Sequence, residues 1–156
     1  MITYDGSPLR TFDMLPKLAE EFGKGKTVLA EKENGEWRTY TIEESLAFID
    51  KISCALLALG IQKGDRVAIS SRNCPQWNFI DWGIQQIGGI TVPLYTTISE
   101  NDYKYNLNHS ESKLIFISGQ SIFRKIDNIR TEIPAIQRVI SIKPLEEIGR
   151  ASCRER

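Results

Sequence analysis

The stretch from Leu57 to Leu94, LALGIQKGDRVAISSRNCPQWNFIDWGIQQIGGITVPL, constrains the fold most, because it sets a helix end, a strand, a helix and a second strand in close succession. Arg66-Val67-Ala68-Ile69-Ser70 follows a Gly64-Asp65 turn and is too uniformly apolar for a half-exposed strand. It reads as a strand buried in a parallel sheet. Asn73-Cys74-Pro75 ends that strand and opens a helix, since proline at the first helical position loses no hydrogen bond and a nearby asparagine can take up free amides. Gly88-Gly89 closes the helix, and Ile90-Thr91-Val92-Pro93 follows as the next strand. The unit is β-α-β, which implies parallel strands joined by a right-handed crossover.

Upstream, Thr11 is expected to cap a short helix carrying Leu15, Leu18 and Phe22 on one face, with Pro16 in its first turn and Gly23 and Gly25 at its end. A hairpin is predicted from Val28–Glu33 and Glu36–Tyr40, because Asn34-Gly35 suits the positive φ angles of a type I′ turn. Thr41-Ile42-Glu43-Glu44 is a capping box for a helix running to about Leu59. Its Leu46, Ile49, Ile52, Leu56 and Leu59 form a face expected to pack on the sheet, and Gly60 stops it.

Downstream, Ser99-Glu100-Asn101-Asp102 caps a helix ending near His109, and Leu114–Ile117 is an apolar strand. Ser121–Arg130 is a further helix candidate, broken by Pro134, and Arg138–Ile142 a fourth strand candidate. Strands begin about every 24 residues, the length of a strand, a helix and two short loops. The fold expected is α/β, an open, doubly wound, mostly parallel sheet with an N-terminal β-hairpin against one side.

With 41% hydrophobic and 26% charged residues, the composition is that of an ordinary globular domain. Twenty basic residues balance twenty acidic ones without a basic-aromatic cluster, which argues against nucleic acid as a partner. No run approaches the roughly 20 apolar residues of a membrane span, and the start, Met1-Ile2-Thr3-Tyr4-Asp5, lacks the order of a signal peptide. A cytoplasmic location is expected. Cys54, Cys74 and Cys153 have no metal-ligand spacing, and the first two read as small buried hydrophobes.

Gly23-Lys24-Gly25-Lys26-Thr27 imitates a phosphate-binding loop, but Glu20 stands where the motif needs glycine, and the helix precedes the strand instead of following it. His109 is the only histidine and belongs to no metal cluster. It reads as a residue that meets the last carbonyls of a helix. In a doubly wound sheet ligands collect at the carboxyl ends of strands. Those ends here are Ser70-Ser71-Arg72-Asn73, Tyr95-Thr96-Thr97 and Ser118-Gly119-Gln120. Arg72 could take a phosphate or carboxylate bidentately, or simply be an exposed arginine beside a helix cap. No residue stands out as nucleophile or general base.

The order of residues also carries a resemblance. Leu59-Gly60-Ile61-x-x-Gly64-Asp65-Arg66-Val67-Ala68-Ile69, Asn73-x-Pro75-x-Trp77 and Gly89-Ile90-x-Val92-Pro93-Leu94-Tyr95-x-Thr97 resemble the N-terminal region of AMP-forming acyl-CoA synthetases, in the adenylate-forming ligase superfamily. Val92–Glu100 and Leu107–Lys113 bring the long-chain fatty acid branch closest. The likeness spans Thr11 to Ser118 and fades by Pro144.

The resemblance implies a ligase that converts a fatty acid and ATP, with Mg²⁺, to an acyl-adenylate and pyrophosphate, then transfers the acyl group to coenzyme A. Its partners would be small molecules, with peripheral membrane association left open. The family's Ser/Thr/Gly-rich loop with its lysine, its aromatic-Gly-x-Thr-Glu segment, its ribose-binding Asp and its C-terminal Lys have no match here. No residue is therefore assigned as catalytic, cofactor-binding or metal-binding, and the chain alone is expected to be inactive. Trp77, Ile80, Ile84 and Ile87, flanked by Phe79 and Trp82, read as a helix face packed on the sheet or as part of an apolar acyl tunnel.

Residues 1–146 are accordingly read as the truncated front of an adenylate-forming domain. Residues 147–156 are different in kind. Ile148-Gly149-Arg150-Ala151-Ser152-Cys153-Arg154-Glu155-Arg156 can be read codon by codon from a common sequencing-adapter oligonucleotide, so a non-native tail is expected. Two other classes stay open: an adenylating enzyme for an amino or aryl acid, and a stand-alone α/β binding domain without catalysis.

Overall fold

The computed structural model describes residues 3–4, 7–8 and 10–145; the expected tail at 147–156 lies outside the described residues. A two-residue antiparallel ladder, β1 (Thr3–Tyr4) with β2 (Ser7–Pro8), opens the chain and had no counterpart among the expected elements. Thr11 does not cap the first helix. It begins a 3₁₀ turn, Thr11–Asp13, ahead of α1 (Met14–Phe22). Asp13 instead accepts from the Arg10 amide at 3.1 Å and from its Nε at 2.8 Å, so a carboxylate satisfies the free amide where a hydroxyl was expected. Leu15 is buried and Leu18 half-buried, but Phe22 is 55% exposed, since the apolar face stops short of the last turn.

Asn34 and Gly35 both take positive φ, 50° and 89°, and join β3 (Thr27–Glu33) to β4 (Glu36–Thr41) in an antiparallel hairpin. Thr41 and Glu44 then cap α2 (Ile42–Ala58) reciprocally: the Glu44 amide donates to Thr41 Oγ1 at 3.2 Å, and the Thr41 amide donates to Glu44 Oε2 at 2.9 Å. The buried stripe of α2 is Ile42, Ser45, Ile49, Ser53 and Leu56. Leu46 and Ile52 lie at its margin, and Leu59 is exposed. The helix is thus rotated relative to the expected face, with two serines in its contact.

The organising unit folds as read: β5 (Arg66–Ser70), α3 (Pro75–Gln86) and β6 (Ile90–Pro93). Pro75 occupies the first helical position, but the cap is Cys74, which makes no capping hydrogen bond, rather than asparagine. After it come α4 (Glu100–Ser110), β7 (Leu114–Ile117), α5 (Gln120–Asn128) and β8 (Arg138–Ser141). The sheet order is β6-β5-β7-β8, with Val67 opposite Leu114 and Ile117 opposite Ser141 in parallel register.

The chain divides into two compact units, residues 1–65 with 73–91, and residues 66–72 with 92 onward. In the first, Leu15, Tyr40, Ile42, Ile49 and Phe79 form the core. Phe79, expected on a flank, lies at its centre, stacked on Phe48 at 5.2 Å and edge-on to Tyr40 at 5.4 Å. Burial, then the hydrogen bond to Glu31, pushes the Tyr40 phenol up to about 12. Cys54, expected inside, is exposed. In the second unit, Tyr103 and Leu107 of α4 and Ile122 and Ile126 of α5 cover Ala68, Ile115 and Ile117 on one face of the sheet. Each fully buried aliphatic side chain contributes about 1.5–3 kcal/mol relative to exposure. Val67, Ile69 and Leu114 on the other face are also buried, as a continuous apolar strand requires.

Candidate functional site at the carboxyl ends of the strands

The strand order fixes the topological switch point of the sheet. β5 leads through α3 to β6 on one side, whereas β7 leads through α5 to β8 on the other. The connections therefore part between β5 and β7, the position at which open α/β sheets bind ligands. Ser70-Ser71-Arg72 leaves β5 there, and Ser118-Gly119-Gln120 leaves β7, the Ser118 amide donating to Ser70 O at 3.1 Å. The Arg72 side chain is exposed, and its guanidinium has no hydrogen-bonding partner among the described residues. Gly119 precedes α5 with no side-chain cap, and Gln120 Oε1 is buried without a hydrogen-bond donor.

Tyr95, Thr96 and Thr97 follow β6, and the backbone of this loop is tied down along its length. Leu94 donates its amide to Ile69 O at 2.8 Å, Tyr103 donates its hydroxyl to Tyr95 O at 3.0 Å, and Lys125 Nζ donates to Ile98 O at 2.6 Å. Ser99 then forms a capping box with Asp102, whose carboxyl the serine hydroxyl and amide hold below the ordinary carboxylate range. Ser70 Oγ lies 2.6 Å from Tyr103 Oη, and both side chains are fully buried. Tyr103 has one proton, which goes to Tyr95 O, so Ser70 is the donor in that pair. Burial pushes the Tyr103 phenol up, and the Ser70 bond opposes it.

Tyr103 was not among the residues picked from sequence. The other candidates separate. His109 sits in the last turn of α4, as expected, stacked on Tyr105 with ring centroids 5.5 Å apart. Among the described residues no hydroxyl or carboxylate bonds to its ring, which leaves no triad. Asn73, Cys74, Trp77 and Asn78 line a cavity of about 360 Å³ at the head of α3. Ile80 and Ile84 are buried, whereas Trp77 and Ile87 are only half-buried. Gly23 ends α1 and a strand follows, the reverse of a phosphate loop.

Among the described residues no cluster of three or more His, Cys, Asp or Glu could hold a metal ion. Among them, too, no helix is long and apolar enough to cross a membrane.

Comparison with known proteins places this geometry in a family. The sequence is 31% identical over 109 residues to long-chain-fatty-acid–CoA ligase FadD15 of Mycobacterium bovis, covering 70% of this chain and 18% of that protein. It is 32% identical over 107 residues to crotonobetaine/carnitine–CoA ligase of Citrobacter koseri, covering 69% and 21%. The chain therefore spans about a fifth of the curated relatives it matches. Its fold superposes on a Mycobacterium tuberculosis fatty acyl CoA synthetase with a TM-score of 0.71, at 25% identity, over 83% of this chain and 26% of that one. The anthranilate CoA ligase AuaEII, in complex with anthranoyl-AMP, gives a TM-score of 0.77 at 22% identity over 84% and 24%. Residues 16–153 match the model of the AMP-binding enzyme family, and with the parallel sheet and the matched strand-helix-strand unit, the chain belongs to that family of adenylate-forming ligases.

Proposed function

We propose that this chain is the front part of a cytoplasmic ligase that activates a long-chain fatty acid with ATP to an acyl-adenylate and passes the acyl group to the thiol of coenzyme A. The observation that carries the reading is the 31% identity to the long-chain enzyme, over a stretch that includes Val92–Glu100. Residues 1–146 would belong to the AMP-binding domain, and residues 147–156 would be adapter-derived. Carboxylate attack on the α-phosphorus brings negative groups together and needs a metal ion and fixed donors around the phosphates. This chain has no metal cluster among its described residues and no match to the family's catalytic motifs. The reacting groups are therefore assigned to other parts of the enzyme, and this portion supplies sheet, loops and packing.

The test begins with the source DNA across the codon for Glu146. The expected frame continues into a Ser/Thr/Gly-rich loop with a lysine; a stop after Arg156 in the genome overturns the reading. The complete protein is then assayed for ATP- and CoA-dependent thioester formation on acids of graded chain length, with long-chain acids expected to give the highest kcat/KM. A second reading, a small polar or aryl acid as substrate, draws on the 32% identity to the carnitine–CoA ligase and is the one favoured if short acids win. The 156-residue chain by itself is expected to form no acyl-CoA in the same assay.

A further inference from the structure

We draw no further inference here: the strongest candidate, the open cavity of about 520 Å³ along α4 lined by Asn101, Lys104, Tyr105, Asn108 and His109, carries nothing because Lys104 is already paired with Glu132 and, in a chain spanning about a fifth of its relatives, nothing in the structure shows what covers that face.

Discussion

At the scale of single residues, Thr41 supports α2 in two ways, because its hydroxyl accepts from the Glu44 amide while its own amide donates to the Glu44 carboxylate. Thr41→Ala leaves a helix amide without its partner and should lower stability by about 1 kcal/mol, read as a lower urea midpoint at unchanged slope. The same contacts give a titration signature. The Thr41 amide, then its hydroxyl, hold the Glu44 carboxyl below its usual range, as the Ser99 hydroxyl and amide do for Asp102. A depressed carboxyl contributes stability above its unfolded pKa, and loses it as pH falls through the folded value. Carboxyl-resolved NMR titration of Thr41→Ala should therefore find Glu44 moved partway back up and Asp102 unmoved. A Glu44 that stays depressed would mean the hydroxyl contributes nothing to it.

At the scale of elements, the contact between α2 and α3 turns on small residues. Ser53 Oγ, in the buried stripe of α2, donates to Gly83 O at 3.0 Å, and a Cβ at Gly83 would stand 2.8 Å from Ile52 Cγ2 and 3.1 Å from Ile52 Cβ. Gly83→Ala has the better helix propensity by about 1 kcal/mol, but overpacking costs about 1–3 kcal/mol. Destabilisation should win, and Ile52→Ala in the same chain should make Gly83→Ala less harmful; a stabilised single mutant would show that the helices can slide apart. This contact explains why the face of α2 was misread. Apolar spacing picked out Leu46 and Leu59, whereas the buried stripe holds Ser45, whose hydroxyl donates to Thr41 O one turn back, and Ser53, whose hydroxyl donates to Gly83 O of α3. Strands, glycine stops and capping boxes were legible because each is fixed by chemistry within a few residues. The caps of α1 and α3 were not, because a carboxylate–guanidinium pair and an uncapped proline start leave the nearest Thr or Asn without the role its type suggests.

At the scale of the whole molecule, strand order was the piece that periodicity could not supply. Spacing predicted four parallel strands, but only the order β6-β5-β7-β8 places the switch point between Ser70-Ser71-Arg72 and Ser118-Gly119-Gln120. Tyr103 stayed hidden for a related reason, since its hydroxyl meets Ser70 and the Tyr95 carbonyl only after the strands align. The same order leaves β6 and β8 at the two edges of the sheet, with Ile90 of β6 51% exposed. Pro93 is the one guard on β6 and Arg138 the one charge on β8, and thinly guarded edges pair with other chains. Met14, Phe22, Trp37 and Leu57 add further exposed apolar surface. The isolated 156-residue chain should therefore self-associate, eluting ahead of a 17.7 kDa monomer and more so as concentration rises. A monomer that holds its elution volume over a hundredfold dilution and unfolds in one sharp transition would mean that these edges are closed in solution. In that case the stand-alone binding domain becomes the better account of this chain.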